Sequence, residues 1–398
     1  MKTAWSILIF VCLSSTIWGQ SPRTLSLEEA EERMRSEHPE LKLASLNREQ
    51  VKAGQGSSWQ VDPLQLHYQR GQINTLSQDN YLGISQDLGR PWLAWAERNT
   101  WQDRYELAQL KEASLERELR YRLRESWYQW QAIHAQIGLI REQVSSLREV
   151  QQVVDIRVEA GAENQVSSLQ VALKLRELLE QELALNIELE KASLFFQKAL
   201  GVEEMAIPQA LPQRALLLSV DTSLYALANH PLLAEFGAES RLAQSRNKSQ
   251  KAKYSPGFQI GYFRQSIDAQ GGFDGLSLGL AVPLIFKAER SQQQMVALEG
   301  NKTEIKNQWQ RQQIRQEITN LNNRAQSIQR QIEALEQESL PLAQQLRETS
   351  LLQYRQGATS YLLVQQAIQA ELDVRKRYLK AIAHWNETIN RLNYWLDV

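Results

Sequence analysis

Two pairs of segments alternate between apolar residues and polar or small residues. In the clearest, residues 276–284, leucine or valine holds every second position, and serine, glycine, alanine and proline lie between them. A period of two predicts a β-strand with one apolar face and one small or polar face. The other three segments begin at Leu64, Leu82 and Phe258, and glycine-rich hairpin sequences lie at 71–80 and 268–275. The chain is therefore predicted to form two β-hairpins.

A long segment with a helical pattern follows each strand pair. Residues 93–157 contain no proline and one glycine, and a helix of that length would be about 100 Å long. Within it, apolar residues at 130–147 recur at spacings of three and four, which is the pattern of a coiled-coil seam. Residues 289–354 repeat this scheme, but we expect Pro341 to kink the helix or to break its hydrogen-bond ladder.

Both long helices are predicted to end at a glycine. Gly161 and Gly357 each follow the last periodic residues, where a glycine suits a C-terminal cap or a tight turn. Further helical segments follow at 165–200 and 359–396. A break with a helix on either side predicts an antiparallel helical hairpin in each half of the chain.

A shorter helix is predicted before each strand pair. The first runs from about residue 25 to residue 54, with Ser26 as a suitable N-cap, and the second from about 221 to 253. His38-Pro39 interrupts the first helix and His230-Pro231 the second. A histidine in such a place is more often structural than a ligand, and we interpret both as structural.

The order of elements occurs twice, and a weak sequence repeat accompanies it. His38-Pro39 returns as His230-Pro231 at an offset of 192 residues, and Gly161-Ala162 returns as Gly357-Ala358 at an offset of 196. A repeat this long indicates a duplicated half-protein. The predicted division is a signal peptide at 1–19, a first repeat at 20–211 (strand pair about 61–90, helical hairpin about 93–200) and a second at 212–398 (strand pair about 256–286, helical hairpin about 289–396).

The N-terminus has the pattern of an export signal. Lys2 precedes an apolar run at 4–13 that is too short to span a bilayer, and cleavage is plausible after Gly19. The alternative is an uncleaved anchor or a buried N-terminal helix. The chain's one cysteine, Cys12, lies in this run, so the mature chain is predicted to have no disulfide and no cysteine-based metal site.

Composition and motifs narrow the function further. The 45 basic and 46 acidic residues nearly cancel, so nothing points to nucleic acid or to an acidic substrate. The chain contains no phosphate-binding loop, no dinucleotide fingerprint, and no zinc-protease or nucleophile-elbow motif. Its five histidines are dispersed. We therefore predict a protein that is not an enzyme and has no cofactor and no metal site.

Amphipathic strands in an exported chain favour a membrane β-barrel, although a half-buried hairpin on a soluble core is the commoner fate of such strands. A sheet in lipid must close, and the smallest barrels have about eight strands, so several chains would each contribute four. His67 and Asp87 alternate with apolar neighbours and are candidate lumen-facing residues. Trp92 and Trp95 follow the second strand, where they fit either an interfacial belt or helix–strand packing.

The duplicated pattern, the two hairpins and the break at 354–360 resemble the TolC-type outer membrane efflux family, over residues 25–396. The resemblance implies a mostly α, α+β fold, in which a homotrimer forms a 12-stranded barrel in the outer membrane and a coiled-coil helical tunnel in the periplasm. It also implies a periplasmic adaptor, which grips the hairpin tips, and an inner-membrane efflux pump. The implied docking residues are Gly161, Ala162, Gly357, Ala358, Thr359 and Ser360.

The segment at 71–86 looks most like the metal-cation branch of this family. The predicted function is therefore the outer-membrane channel of a tripartite efflux system of the resistance–nodulation–division type, exporting metal cations. Positions 361–366, where the family often has an acidic ring, carry no acid, and Glu163 is the one carboxylate that closely follows the first break. The alternatives are a drug, small-molecule or type I secretion channel and, from another class, a periplasmic coiled-coil adaptor or scaffold. The cargo, the pump, the adaptor and the gating residues stay open.

Overall fold

The computed structural model describes residues 23–59, 61–74, 76–202, 204–209, 214–215, 230–268, 270–283 and 287–396. The predicted signal peptide at 1–19, the helix start at 221–229 and Leu284 lie outside the described residues. In the described ranges, no helix has a stretch that is long and apolar enough to cross a membrane.

The short helices begin at the predicted caps. Helix α1 (Leu27–Glu37) starts after Ser26, whose hydroxyl accepts from the Glu29 backbone N–H while the Glu29 carboxylate accepts from the Ser26 N–H. This reciprocal pair is a capping box. The prolines open the next helices in both halves, α2 (Pro39–Gly54) and α5 (Pro231–Ala252), since proline lacks the N–H that a first-turn residue leaves unpaired anyway.

The predicted hairpins form one four-stranded antiparallel sheet in the order β2–β3–β5–β6. Its strands are β2 (Gln65–Gly71), β3 (Asp79–Gly89), β5 (Gly257–Ile267) and β6 (Gln270–Ala281). The two halves of the chain therefore meet at the β3–β5 pairing, and β2 and β6 each have one neighbour in this sheet.

Two details of the strand prediction were wrong. The glycine-rich stretch at 268–275 is mostly strand, because Asp268 with a φ of 52° begins a tight turn there and β6 starts at Gln270. Leu88 does not continue the alternation of β3. It is the extra residue of a β-bulge, since Asp87 pairs with Gln259 while Gly89 pairs with Phe258. The Asp87 carboxylate accepts from the Gly89 N–H at 2.7 Å and so stabilises the bulge.

The long helices have the predicted extent. Helix α3 (Pro91–Glu159) has 69 residues and is about 100 Å long. A tight turn joins it to α4 (Gln165–Leu200). Every predicted seam residue of α3, from Trp130 to Leu147, is buried. In the second half, α6 (Lys287–Ala334) passes through a π-turn (Leu335–Ser339) into α7 (Leu340–Arg355), and α8 (Tyr361–Leu396) returns.

The π-turn lies directly before Pro341 and confirms the predicted local break. The Leu340 N–H donates to the Leu335 carbonyl, five residues back. Proline has no N–H and crowds the preceding turn, so the ladder widens there rather than ending. The helical segment consequently continues, as α7, to the hairpin tip.

The core follows the helix seams instead of forming one globular centre. Helix α3 contacts α4, α5 and α8, so the two helical hairpins lie side by side. Apolar residues of α3, α4, α7 and α8 pack together at one end, and those of α6 and α8 pack together farther along. The tip cluster includes Ile140, Val144, Leu147, Val171, Leu178, Val364 and Leu372.

One pairing is absent from the sequence prediction. Strand β1 (Arg23–Leu25) pairs in parallel with β4 (Ala206–Pro208) after α4. The sequence assigned Leu25 to the first helix, but it lies in this strand and packs with Leu119, Leu123 and Phe196. Three residues are too few to show a period, so this ribbon exists because of its tertiary contacts.

Candidate functional site: the exposed sheet and the helix-hairpin tips

One face of the sheet is apolar and exposed. The strand register places Leu66, Ile84, Tyr262 and Leu276 in one row across all four strands. The leucines of β6 are the most open, with exposed fractions of 82% for Leu276 and 85% for Leu278. Large apolar patches on a surface mark contact with a membrane or a partner.

The opposite face carries small and polar residues. Its rows include His67, Gly83, Phe263 and Gly275, and one step along, Gln65, Ser85, Gly261 and Ser277. The Phe263 ring covers Gly275, and an added Cβ there would lie 2.7 Å from the ring. A larger residue at 275 would therefore have to displace that ring.

The predicted lumen-facing residues lie on this polar face but apart from each other. The His67 side chain is exposed, and its Nε2 is 3.3 Å from the Gln65 amide oxygen. Asp87 belongs to β3, four residues beyond the His67 partner Gly83. Its carboxylate accepts a hydrogen bond from the Gly89 N–H within the bulge. Contact of either side chain with a lumen stays a prediction.

The two tryptophans after β3 differ in their surroundings. Trp92 of α3 packs against Phe258 of β5 with ring centroids 5.8 Å apart, so this residue makes a helix–strand packing contact. Its ring is still 53% exposed, and that of Trp95 is 66% exposed. Both therefore present aromatic surface at the end of the apolar sheet face, as an interfacial belt requires.

The two hairpin tips have the same backbone. Gly161 and Gly357 have φ of 66° and 77°, a left-handed conformation that is costly for a residue with a Cβ. Ala162 and Ala358 donate to carbonyls five residues back, each at 2.8 Å. This is a Schellman motif in each half. All four residues are exposed, as is Ser360, while Thr359 is half-buried.

Side chains link the two tips, and the sequence did not identify them. The Arg157 guanidinium at the first tip donates to the Tyr354 carbonyl at the second at 3.0 Å, and it stacks 4.8 Å from the Tyr354 ring centroid. In return, the Tyr354 hydroxyl donates to the Glu163 carboxylate at 3.2 Å. We call Arg157, Glu163 and Tyr354 the tip clasp.

The tip clasp favours an ionised Glu163. Burial disfavours the charged carboxylate, but hydrogen bonds from the Asn164 N–H, the Ser167 hydroxyl and the Tyr354 hydroxyl outweigh it and lower the pKa of Glu163. Burial, followed by the charge of Glu163, raises the pKa of Tyr354 to about 12. The pair thus keeps one proton, on the tyrosine, over the physiological range.

The geometry offers surfaces rather than a reaction centre. Across the described ranges, no group of three or more His, Cys, Asp or Glu side chains is placed to hold a metal ion. The prominent features are an apolar sheet face, an extended helical wall and the paired tips.

Comparisons with known proteins agree with this geometry. No protein-family model and no curated protein matches the chain. Among solved structures, the outer-membrane channel OprN superposes with a TM-score of 0.79 at 14% identity, covering 93% of this chain and 89% of its own. CusC, whose structures describe transmembrane channel formation, superposes with a TM-score of 0.78 at 16% identity, covering 94% of this chain and 93% of its own. The outer membrane protein VceC of Vibrio cholerae gives 0.75 at 13%, covering 93% and 95%.

The chain has the fold of these outer-membrane channels. The resemblance to the TolC-type proteins is thereby confirmed for the fold, over almost the whole described chain. Identities of 14% and 16% carry no information on cargo.

Proposed function

We propose that this chain is one protomer of a trimeric outer-membrane channel, which acts as a passive export conduit in a tripartite efflux system and catalyses no reaction. The observation that carries the proposal is the sheet. It has four strands and an exposed apolar face, and each of its two edge strands, β2 and β6, has one neighbour in the sheet. In lipid every strand edge must be paired, and four strands cannot close a barrel. Three copies would supply twelve.

The helices support a conduit that continues below the membrane. Helices α3 and α6 follow directly from the sheet, and α3 alone has 69 residues, about 100 Å. We place the barrel in the outer membrane and the helices in the periplasm, with residues 1–19 as the export signal. The competing adaptor or scaffold reading is disfavoured because an adaptor would bury the apolar face that this chain exposes.

The proposal is tested by expressing the full chain in a bacterium with an outer membrane. We expect the protein in the outer-membrane fraction, extractable by detergent alone, with a light-scattering protein mass of three protomers. A monodisperse, detergent-free monomer from the periplasm would overturn the proposal.

We further propose that the tips are the docking surface for a periplasmic adaptor, which couples the channel to an inner-membrane pump. In support, Gly161, Ala162, Gly357, Ala358 and Ser360 are exposed at the far end of the helices, with Thr359 beside them. Valine at Gly161 or Gly357 should reduce crosslinking to the adaptor and efflux while the trimer still forms. If resistance falls only in proportion to trimer level, docking is not the function of the tips.

For cargo, we propose metal cations on the strength of the hairpin segment at 71–86; drugs, other small molecules and type I secretion substrates are the alternatives. A conduit needs no tight site, since its cargo must be released. Deletion of the gene should lower resistance to divalent metal salts more than resistance to organic drugs. The reverse order would assign the channel to the drug class.

A further inference from the structure

A large cavity lies directly below the sheet. It has a volume of about 1310 Å³ and is bounded by α3, α5, α6 and the end of the sheet. From the sheet, it is lined by Asp87, Gly89, Gly257 and Ala281, of which all but Gly89 belong to the polar face. The cavity therefore adjoins mainly the polar face, where the lumen of the proposed channel would lie.

The cavity has an excess of positive charge. Seven lysine and arginine residues line it, against five aspartates and glutamates. Glu299 lies 3.9 Å from the Lys302 ammonium, and this pair removes one charge of each sign. The remaining lining keeps an excess of two positive charges.

Arg104 of α3 and Arg246 of α5 both line the cavity. Neither forms an ion pair with a carboxylate of the described residues. The Nε of Arg104 is buried without a hydrogen-bond partner, and its guanidinium stacks 4.5 Å from the Trp101 ring centroid. Burial and then the charge of Arg246 lower the pKa of Arg104, and Glu97 offsets part of this effect.

The buried Nε of Arg104 is costly to keep. A buried donor without a partner loses its hydration, and the like charge of Arg246, whose side chain is exposed, adds a repulsion. A ligand that accepts hydrogen bonds and carries negative charge would relieve both costs at once. Guanidinium groups present forked donors that match carboxylate, sulfonate and phosphate oxygens.

We propose that this cavity is a binding site for small organic anions, held between Arg104 and Arg246. Its volume exceeds that of most small-molecule sites, so a multiply charged aromatic anion would fit. That the site lies in an export lumen rests on the proposed function.

The test uses the full chain purified in a neutral detergent and pyranine, a fluorescent trisulfonated pyrene. Fluorescence anisotropy should show saturable binding that inorganic phosphate weakens and tetraethylammonium leaves unchanged. Arg104→Gln and Arg246→Gln should each weaken binding roughly tenfold, the loss expected for one charge-assisted hydrogen bond. The matched control is Arg98→Gln, which removes the same charge from an exposed position of α3 outside the cavity.

Absence of saturable binding to the unmodified protein would overturn the proposal, as would an equal loss in Arg98→Gln. If Arg104→Gln fails to fold, Arg246→Gln alone decides, because that side chain lies on a different helix. The cavity belongs to a single protomer. If the chain proves to be a monomer, the proposed channel is contradicted, while the binding measurement still tests the anion site.

Discussion

At the residue scale, equivalent side chains of the two halves do the same work. His38 and His230 each cap the helix that follows, with Nδ1 accepting from the backbone N–H two residues on, at 3.2 and 3.1 Å. The Nε2–H of His230 donates to the Tyr394 carbonyl at 2.9 Å. This pattern needs the neutral imidazole, because Nδ1 must stay unprotonated to accept. Both histidines are structural, as the sequence indicated.

The neutral state of His230 predicts a pH dependence of stability. Burial is the main cause that lowers its pKa to about 4, with the charge of Arg117 adding to it. An unfolded histidine titrates near 6.5, so the unfolded state binds the extra proton first as pH falls. The free energy of unfolding should therefore have its full value above about pH 6.5 and decrease by up to about 3 kcal/mol as the pH falls toward 4.

His230→Asn keeps a cap acceptor but loses the titration. In thermal unfolding, this variant should be less stable than the parent protein at neutral pH. Its unfolding temperature should also depend less on pH between the two pKa values. An unchanged pH profile would show that other groups control acid unfolding.

The tip clasp makes a second prediction at this scale. Arg157→Ala removes the hydrogen bond to Tyr354 and the stacking on its ring. Backbone amides around both glycines should then exchange with deuterium about tenfold faster, since one charge-assisted hydrogen bond is lost. The control is Arg355→Ala, an exposed arginine next to Tyr354. Equal acceleration in both variants would show that the clasp does not hold the tips together.

At the element scale, the sheet is specified by alternation and corrected by local backbone geometry. Ser277 and Leu278 are adjacent on β6 but point to opposite faces. Ser277 pairs with Gly261, where an added Cβ would lie within 2.4 Å of the serine hydroxyl oxygen. Leu278 pairs with Ile260 and is the most exposed of the leucines of β6 on the apolar face. The bulge at Leu88 then turns the chain toward α3.

This pair of neighbours tests where the sheet resides. Leu278→Arg should lower trimer yield strongly, because an arginine facing mid-bilayer lipid costs roughly 2–4 kcal/mol. Ser277→Arg carries the same charge on the polar face and should assemble with a smaller loss. Quantitative blotting of membrane fractions gives both yields, and equal yields would contradict a membrane location for this strand.

At the scale of the whole molecule, the single chain leaves a second helix seam uncovered. One side of α4 buries Val171 and Leu178 inside the protomer, while the opposite side carries exposed apolar residues at intervals of three, four, ten, four and seven, which keep them on one face of the helix. This pattern is a coiled-coil seam without a partner in the same chain. The exposed members are Val166, Leu169, Leu173, Leu183, Ile187 and Leu194.

We expect a neighbouring protomer to cover this seam. Leu173 is 72% exposed, and Leu173→Glu should dissociate the trimer or lower its unfolding temperature, while Leu173→Met should leave it assembled. Light scattering in detergent distinguishes the two variants. A Leu173→Glu trimer as stable as the parent would mean that the seam faces solvent.

The sequence by itself determined the elements and their order. Strict alternation marked the strands, three-and-four spacing marked the seam of α3, and His-Pro and glycine marked the ends of helices, because these signals arise within a few residues. Tertiary structure alone decided the β1–β4 ribbon, the joining of both hairpins into one sheet, the clasp between Arg157, Glu163 and Tyr354, and the placement of Arg104 and Arg246 on one cavity. These features join residues far apart in the chain, and no local period records which distant side chain will fill a given space.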